Sequence, residues 1–226
     1  MRFHDLSRRQ ILTGAAALFA IPACTSSVPE SFAGNRSGTG PRPAPPARAD
    51  LYNCEGCEGT LERPAANLPT FVRIAPNGEP GELMRIEGVV YQADGFTPAP
   101  DVVIYAHHTD VTGLYSRGTP ETESSRRHGL LRGWVKTGAD GHYGYLTIKP
   151  APYPDMTMPA HVHLMVAEPG RRPYYIDDIV FDGEYGVDDS YRSRMEYRGG
   201  NGIVRLLRED ALLVARRDIV LERHPA

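Results

Sequence analysis

Short apolar or alternating runs, separated by Gly, Pro and Asp, recur along the chain after residue 70. Runs of this length predict β-strands joined by turns. They cover residues 84–91, 102–105, 143–148, 161–166, 174–181 and 218–221. Residues 205–214 fit a short helix but are ambiguous with a strand. The pattern therefore predicts an all-β domain over residues 51–226, built as a sandwich or a barrel with long loops.

Residues 1–24 have the pattern of an export signal and not of a folded element. Arg8-Arg9 follows Ser7 and precedes an apolar run that ends at Ala23 and is too short to span a membrane. This order resembles a twin-arginine signal, and an ordinary secretory signal is the alternative. Either one predicts an exported, periplasmic protein.

The end of this segment, Ile21-Pro22-Ala23-Cys24, resembles a bacterial lipobox. It predicts lipidation of Cys24, and the alternative is cleavage near Ala23 to give a soluble protein. Residues 25–50 are rich in Ser, Gly, Pro and Ala, which predicts a flexible linker. Contact with a membrane is expected only through the lipid anchor.

Charge and cysteine content limit the expected partners and the expected role of the cysteine pair. The chain has 25 Lys and Arg against 28 Asp and Glu, so nucleic acid is not expected as a partner. Cys54-Glu55-Gly56-Cys57 fits a small-loop disulfide, a redox motif or half of a zinc site. The sequence has no second CxxC for a four-cysteine zinc site and no surrounding βαβ pattern typical of redox motifs. In an oxidising compartment, a structural disulfide between Cys54 and Cys57 is favoured.

His161-Val162-His163 is the most informative local pattern. Side chains at i and i+2 of a strand project to the same face, so both imidazoles suit one metal ion, and Val162 faces the opposing layer. Two tyrosines add to it: Tyr115, expected at the end of a strand, and Tyr153, between two prolines. Among 12 tyrosines, either one alone fits a half-buried side chain whose hydroxyl faces water.

These residues stand in ordered segments that resemble the intradiol ring-cleavage dioxygenases, which include catechol and protocatechuate dioxygenases. The resemblance covers residues 85–181 and extends more weakly to Leu221. Its ligand-bearing segments are Gly113-Leu114-Tyr115, Pro152-Tyr153-Pro154 and Pro159-Ala160-His161-Val162-His163. Its hairpin segments include Ile86-Glu87-Gly88-Val89-Val90, Asp94-Gly95 and Asp140-Gly141.

The resemblance implies an immunoglobulin- or prealbumin-like sandwich and a ferric ion bound by Tyr115, Tyr153, His161 and His163. Phenolates are hard anionic donors that favour Fe(III), and the set contains no thiolate. The implied substrates are a small aromatic vicinal diol and O2. Tyr153 is expected to leave the metal and take up substrate protons, and the ring is cleaved between the hydroxyl-bearing carbons to a muconate-type diacid.

Two segments depart from the family pattern. Met158 stands where many members have an arginine, and it supplies neither charge nor hydrogen-bond donors. Asp177-Asp178 stands where many members have Thr-Gln, and an acidic pair disfavours a dianionic substrate unless it is turned away or hydrogen-bonded. Arg132 is a candidate replacement cation, with a surface salt bridge as the alternative. Arg132 and Asp178 are therefore candidate substrate contacts.

Two functions follow from this pattern. The four ligands favour a Fe(III) dioxygenase acting on an aromatic diol. Met158 and the acidic pair favour a non-catalytic envelope module of the same fold that binds metal or aromatic compounds. A redox lipoprotein working through Cys54 and Cys57 is a third alternative.

Overall fold

The computed structural model describes residues 42–119 and 121–226 and contains two β-sheets. The short helices are α1 (Glu123–His128) and α2 (Asp189–Ser193), with 3-10 turns at Cys57–Leu61 and Ala65–Asn67. The strands are β1 (Phe71–Arg73), β2 (Leu83–Tyr91), β3 (Val103–His108), β4 (Arg132–Lys136), β5 (His142–Ile148), β6 (His161–Ala167), β7 (Tyr174–Phe181), β8 (Ile203–Val204), β9 (Leu206–Glu209), β10 (Leu212–Arg216) and β11 (Ile219–Val220).

The first sheet has the order β1-β5-β2-β10-β9, with β11 also paired to β2, and the second has the order β4-β3-β6-β7-β8. Most neighbours are antiparallel, whereas β8, β11, β1 and the β2–β10 pair supply parallel contacts. The prediction of an all-β sandwich is confirmed.

The main core contains side chains from both sheets. Ile86 and Tyr145 of the first sheet and Ile104 and Val162 of the second are fully buried in it. The Tyr145 hydroxyl donates to the Ile104 carbonyl, with 2.7 Å between the oxygens. Because neighbours along a strand face opposite sides, the burial of Val162 in this core turns His161 and His163 to the outer face of the second sheet.

A smaller apolar cluster covers part of that outer face. It joins Cys57 to Tyr105, Trp134 and Met165, and the Trp134 indole nitrogen donates to the Gly59 carbonyl at 2.9 Å. A disulfide links Cys54 to Cys57, whose Cα atoms are 5.7 Å apart. The disulfide closes a short loop, and Cys57 of this loop packs over the sheet face that carries the two histidines.

Three features differ from the sequence-based expectations. Residues 205–214 contribute to the antiparallel β9–β10 hairpin and not to a helix, with the turn residue Asp210 at φ 54°. Tyr115 does not end a strand, because β3 ends at His108 and Tyr115 lies in the following loop. Part of the predicted linker contacts the domain, since the Ala44 amide donates to the Ala93 carbonyl at 3.0 Å.

The expected export signal, Cys24 and most of the predicted linker lie outside the described residues. Within the described part of the chain, no helix is both long and apolar enough to cross a membrane.

Candidate metal centre

The structure brings four side-chain donors together on the outer face of the second sheet. The Tyr115 hydroxyl lies 2.9 Å from the Tyr153 hydroxyl and 2.9 Å from Nε2 of His163. Nε2 of His161 lies 3.0 Å from Nε2 of His163 and 3.2 Å from the Tyr153 hydroxyl. The four predicted ligands thus form a closed ring of neighbouring donor atoms.

Two loops and one strand supply these donors. His161 and His163 come from β6, Tyr115 from the loop after β3, and Tyr153 from the loop after β5. The loops are tied together, because the Thr109 hydroxyl donates to the Ala151 carbonyl at 2.8 Å. At Gly113 (φ 77°), a Cβ atom would lie 2.0 Å from the Pro152 carbonyl oxygen. Only glycine permits this approach of the two tyrosine loops.

The second nitrogen of each imidazole has its own partner. His161 Nδ1 lies 2.7 Å from the Pro159 carbonyl, and His163 Nδ1 lies 2.9 Å from Asp178 Oδ1. Both partners are acceptors, so in neutral rings each Nδ1 carries the proton and each Nε2 carries a lone pair.

Two lone pairs 3.0 Å apart repel each other unless a proton or a cation lies beside them. Nitrogen and oxygen donors bind a metal such as zinc at about 2.0–2.2 Å, which puts donors at right angles about 3 Å apart. The spacing of the four donor atoms therefore fits a single metal ion.

A β-bulge in β7 gives the adjacent residues Asp177 and Asp178 different surroundings. Val162 pairs with Ile179 and Leu164 with Ile176, so Asp177 and Asp178 together oppose the single residue His163. The extra residue lets Asp178 bond His163, while the Asp177 carboxyl faces the backbone at positions 197 and 198 and its buried Oδ2 has no hydrogen-bond partner among the described residues. The two carboxyl groups thus have different roles.

These surroundings shift the pKa values of the two imidazoles in opposite directions. Burial, with the His163 charge added, lowers the pKa of His161. Burial also acts to lower the pKa of His163, but the charge and hydrogen bond of Asp178 outweigh it and raise that pKa. Asp178 consequently orients His163 and increases its basicity, which is the usual role of a carboxylate behind a metal-binding histidine.

The phenols also differ. Burial, followed by the hydrogen bond with Tyr153, raises the pKa of Tyr115 strongly. Burial raises the pKa of Tyr153 as well, but the hydrogen bond with Tyr115 lowers it in part. The hydrogen bond therefore adds to the effect of burial at Tyr115 and opposes it at Tyr153, so Tyr153 is the phenol that ionises more readily.

Other predicted site residues lie further from the donors or in different roles. Arg132 pairs with Glu62 at 2.6 Å, as in the salt-bridge alternative, and lies over the Trp134 ring. Asp178 bonds His163 and is positioned as its orienting partner. Met158 lines a neighbouring cavity and is 36% exposed.

A cavity of about 520 Å³ opens beside the donors and reveals residues that sequence reasoning missed. Its lining includes Tyr115, Tyr153 and His163, together with His107, His128, Arg127 and Glu55. A larger cavity, of about 620 Å³, lies beside Arg42 and Arg217 and is lined by none of the four donors. The smaller cavity, which borders the donor atoms, is therefore the candidate substrate site.

His107 and His128 form a stack next to the centre. Their ring centroids are 4.0 Å apart, and the His107 centroid lies 4.5 Å from that of His163. Strand alternation puts His107 on the face of Tyr105, and this was the available signal in the sequence. His128 lies at the end of α1, a helix too short to be predicted from periodicity.

The sequence is similar to those of known dioxygenases. A family model described as "Dioxygenase" matches residues 61–197. A hydroxyquinol 1,2-dioxygenase of Nocardioides simplex is 30% identical over 50% of this chain and 44% of the relative. A catechol 1,2-dioxygenase 1 of Acinetobacter lwoffii is 33% identical over 45% of this chain and 36% of the relative. The chain therefore spans less than half the length of these curated relatives.

Solved structures agree with this match. The dioxygenase domain of a dioxygenase–carbohydrate-binding fusion from Streptomyces sp. SirexAA-E has a TM-score of 0.53 at 21% identity, covering 80% of this chain and 98% of that one. Catechol 1,2-dioxygenase from Pseudomonas arvilla C-1 has a TM-score of 0.52 at 25% identity, covering 70% and 58%. The family model spans more than half of the sequence, and with these relatives it shows that the chain belongs to the intradiol ring-cleavage dioxygenase family.

Proposed function

We propose that this protein is a Fe(III)-dependent dioxygenase that uses O2 to cleave an aromatic vicinal diol between its hydroxyl-bearing carbons, giving a muconate-type diacid. The observation that supports it most directly is the ring of four donors, in which two imidazole lone pairs face each other 3.0 Å apart beside two phenol oxygens. Tyr115, Tyr153, His161 and His163 would hold the ion.

Ionisation of the two phenols requires a nearby cation of high charge. Because burial raises the pKa of both Tyr115 and Tyr153, neither side chain ionises at neutral pH without a nearby cation. When bound, a ferric ion would hold both oxygens of a diol and withdraw electron density from its ring, which makes the ring reactive towards O2.

Residues of the chain orient the imidazoles and accept a proton from the substrate. Pro159 and Asp178 hold the two imidazoles in the tautomer that directs Nε2 towards the substrate side. Tyr153 lines the cavity, and its hydroxyl lies 2.9 Å from that of Tyr115. We assign to Tyr153 the acceptance of a proton from the diol.

A visible spectrum of the iron-loaded protein tests the proposal. Tyrosinate–Fe(III) charge transfer should make the protein red, and anaerobic catechol should shift the band. A colourless protein without bound iron would contradict the site assignment. A red protein that consumes no O2 with any diol would instead support a non-catalytic module, the alternative that Met158 favours.

We also propose that the protein is exported to the periplasm and carries a lipid on Cys24. The support is the order of Arg8-Arg9, the apolar run and the lipobox-like segment that ends at Cys24. Mass spectrometry of the protein from a membrane fraction should show a lipidated N-terminal Cys24. A soluble form beginning after Ala23 would overturn the lipid anchor but not the export.

A further inference from the structure

One permanently charged cation lies in the cavity beside the metal centre. Among the described residues that line this cavity, Arg127 is the only arginine or lysine. Met158, at the position of the family's arginine, is not among the residues that line it. A ring held at the donor atoms therefore shares its cavity with the Arg127 guanidinium.

Arg127 has hydrogen-bonding capacity to spare. Its Nη1 donates to Glu55 Oε1 at 2.9 Å, and no other hydrogen bond of its guanidinium is formed among the described residues. The Glu55 side chain is 85% exposed and that of Arg127 47%, so the carboxylate is on the more solvated side of the pair. An ion pair this exposed contributes little stability and is easily exchanged.

The chemistry of this side chain defines a ligand. A guanidinium presents parallel N–H donors that match the two oxygens of a carboxylate. We propose that Arg127 binds a carboxylate substituent on the aromatic ring of the substrate and exchanges Glu55 for it. The inference rests on the proposed function and narrows its substrate to diols that carry a ring carboxylate.

A neighbour on the same helix provides the control. Arg126 also lies on α1, but it is 61% exposed, approaches Glu121 at 3.8 Å and does not line the cavity. Arg126→Gln and Arg127→Gln each remove one positive charge from α1. Only Arg127→Gln removes the guanidinium from the cavity.

The test measures binding without turnover. Calorimetry on the iron-loaded full chain, without O2, gives the dissociation constants of 3,4-dihydroxybenzoate and of the neutral, similarly sized 4-methylcatechol. The wild type should prefer the carboxylated diol. Arg127→Gln should reduce that preference roughly tenfold, the range of a charge-assisted hydrogen bond. Arg126→Gln should preserve the preference, and Glu55→Gln should increase it.

Each outcome separates this inference from the proposed function. Equal binding of both diols by the wild type overturns the role of Arg127 and leaves the diol dioxygenase standing. So does an Arg127→Gln variant with an unchanged preference, or an Arg126→Gln variant with the same loss. A protein that binds neither diol overturns both proposals. Preference without O2 uptake supports Arg127 and contradicts catalysis.

Discussion

The two phenols of the centre are chemically unequal, although both are tyrosines from loops. The two hydroxyl oxygens are 2.9 Å apart. Burial raises the pKa of both phenols, and the hydrogen bond between them adds to this effect at Tyr115 and opposes it at Tyr153. This asymmetry follows from burial and from that hydrogen bond. It predicts that the two positions respond differently to removal of the hydroxyl.

Tyr115→Phe should shift and weaken the charge-transfer band of the iron-loaded protein, because one phenolate ligand is lost. Visible spectroscopy at equal iron content measures it. Tyr185→Phe is a suitable control, since the Tyr185 hydroxyl donates to the Met156 carbonyl and does not contact the donors. An unchanged band in Tyr115→Phe would remove Tyr115 from the ligand set.

Asp178 bonds His163 and is expected to influence metal binding through that histidine. Asp178→Asn keeps an acceptor for Nδ1 but removes the charge, so iron affinity should fall about 10- to 100-fold. Competition with a chelator at fixed pH measures the affinity. Asp177→Asn is the matched control, because Asp177 faces the backbone at positions 197 and 198. Equal losses in both variants would contradict an orienting role.

Part of this site was predictable and part was not. The four candidate ligands were predicted from segments that match a family, and the i, i+2 spacing correctly places both histidines opposite Val162. The role of Asp178 does not follow, because a bulge of one extra residue decides which of two adjacent carboxylates meets His163. Sequence spacing cannot indicate this local register shift.

At the scale of elements, the longer apolar runs were predicted, whereas short strands such as β1 and β8 were missed. β2 and β5–β7 have strong patterns, and β11 lies within the predicted run 218–221. β1 and β8 have three and two residues and gain their structure from pairing with neighbours. The β9–β10 hairpin was ambiguous because its outcome depends on β2, to which β10 pairs in parallel. Tertiary contacts, absent from a sequence window, settle such cases.

The disulfide segment is the element that borders the cavity, and its fit depends on Gly56. Gly56 has φ 84°, and a Cβ atom there would lie 2.7 Å from Nε2 of His128. Gly78 has nearly the same φ, 85°, but a Cβ atom would meet nothing within 4 Å. The two glycines therefore separate backbone strain from crowding.

Gly78→Ala should lower the free energy of unfolding by about 1–2 kcal/mol, the cost of a left-handed conformation. Gly56→Ala should lose about 1–3 kcal/mol more, because His128 must also move. Urea unfolding monitored by Trp134 fluorescence measures both. Equal losses would show that His128 yields without resistance and that the wall of the cavity is loosely packed.

At the scale of the whole molecule, polar bonds join the two sheets as well as apolar packing. Nε2 of His108, on β3, lies 2.7 Å from the Thr147 hydroxyl on β5, and Nδ1 lies 2.8 Å from the Thr109 carbonyl. The ring is neutral in this arrangement, donating through Nδ1 and accepting at Nε2. The sandwich was predictable from strand patterns, but this link across the core was not, because it requires knowing which strands face each other.

The position of His108 gives the fold a defined dependence on pH. Burial lowers the pKa of His108 to about 4, although the Thr109 carbonyl acts in the opposite direction. An unfolded chain has a histidine pKa of about 6.5, so between these values the unfolded state binds more protons. Stability due to this group is therefore complete above pH of about 6.5 and is lost as the pH falls to about 4, on the order of 3 kcal/mol in total.

Replacing the ring isolates this contribution. His108→Gln should be less stable than the wild type at neutral pH by about 1–3 kcal/mol, because Thr147 loses its partner. Between pH 6.5 and 4 its stability should then fall less steeply. Urea unfolding of the iron-free protein over this range measures the slope, without interference from iron release. His142→Gln, at a histidine whose side chain is 65% exposed, should keep the wild-type slope. If His108→Gln also kept that slope, His108 would not remain neutral in the folded protein, and the bond to Thr147 would have to form with a charged ring.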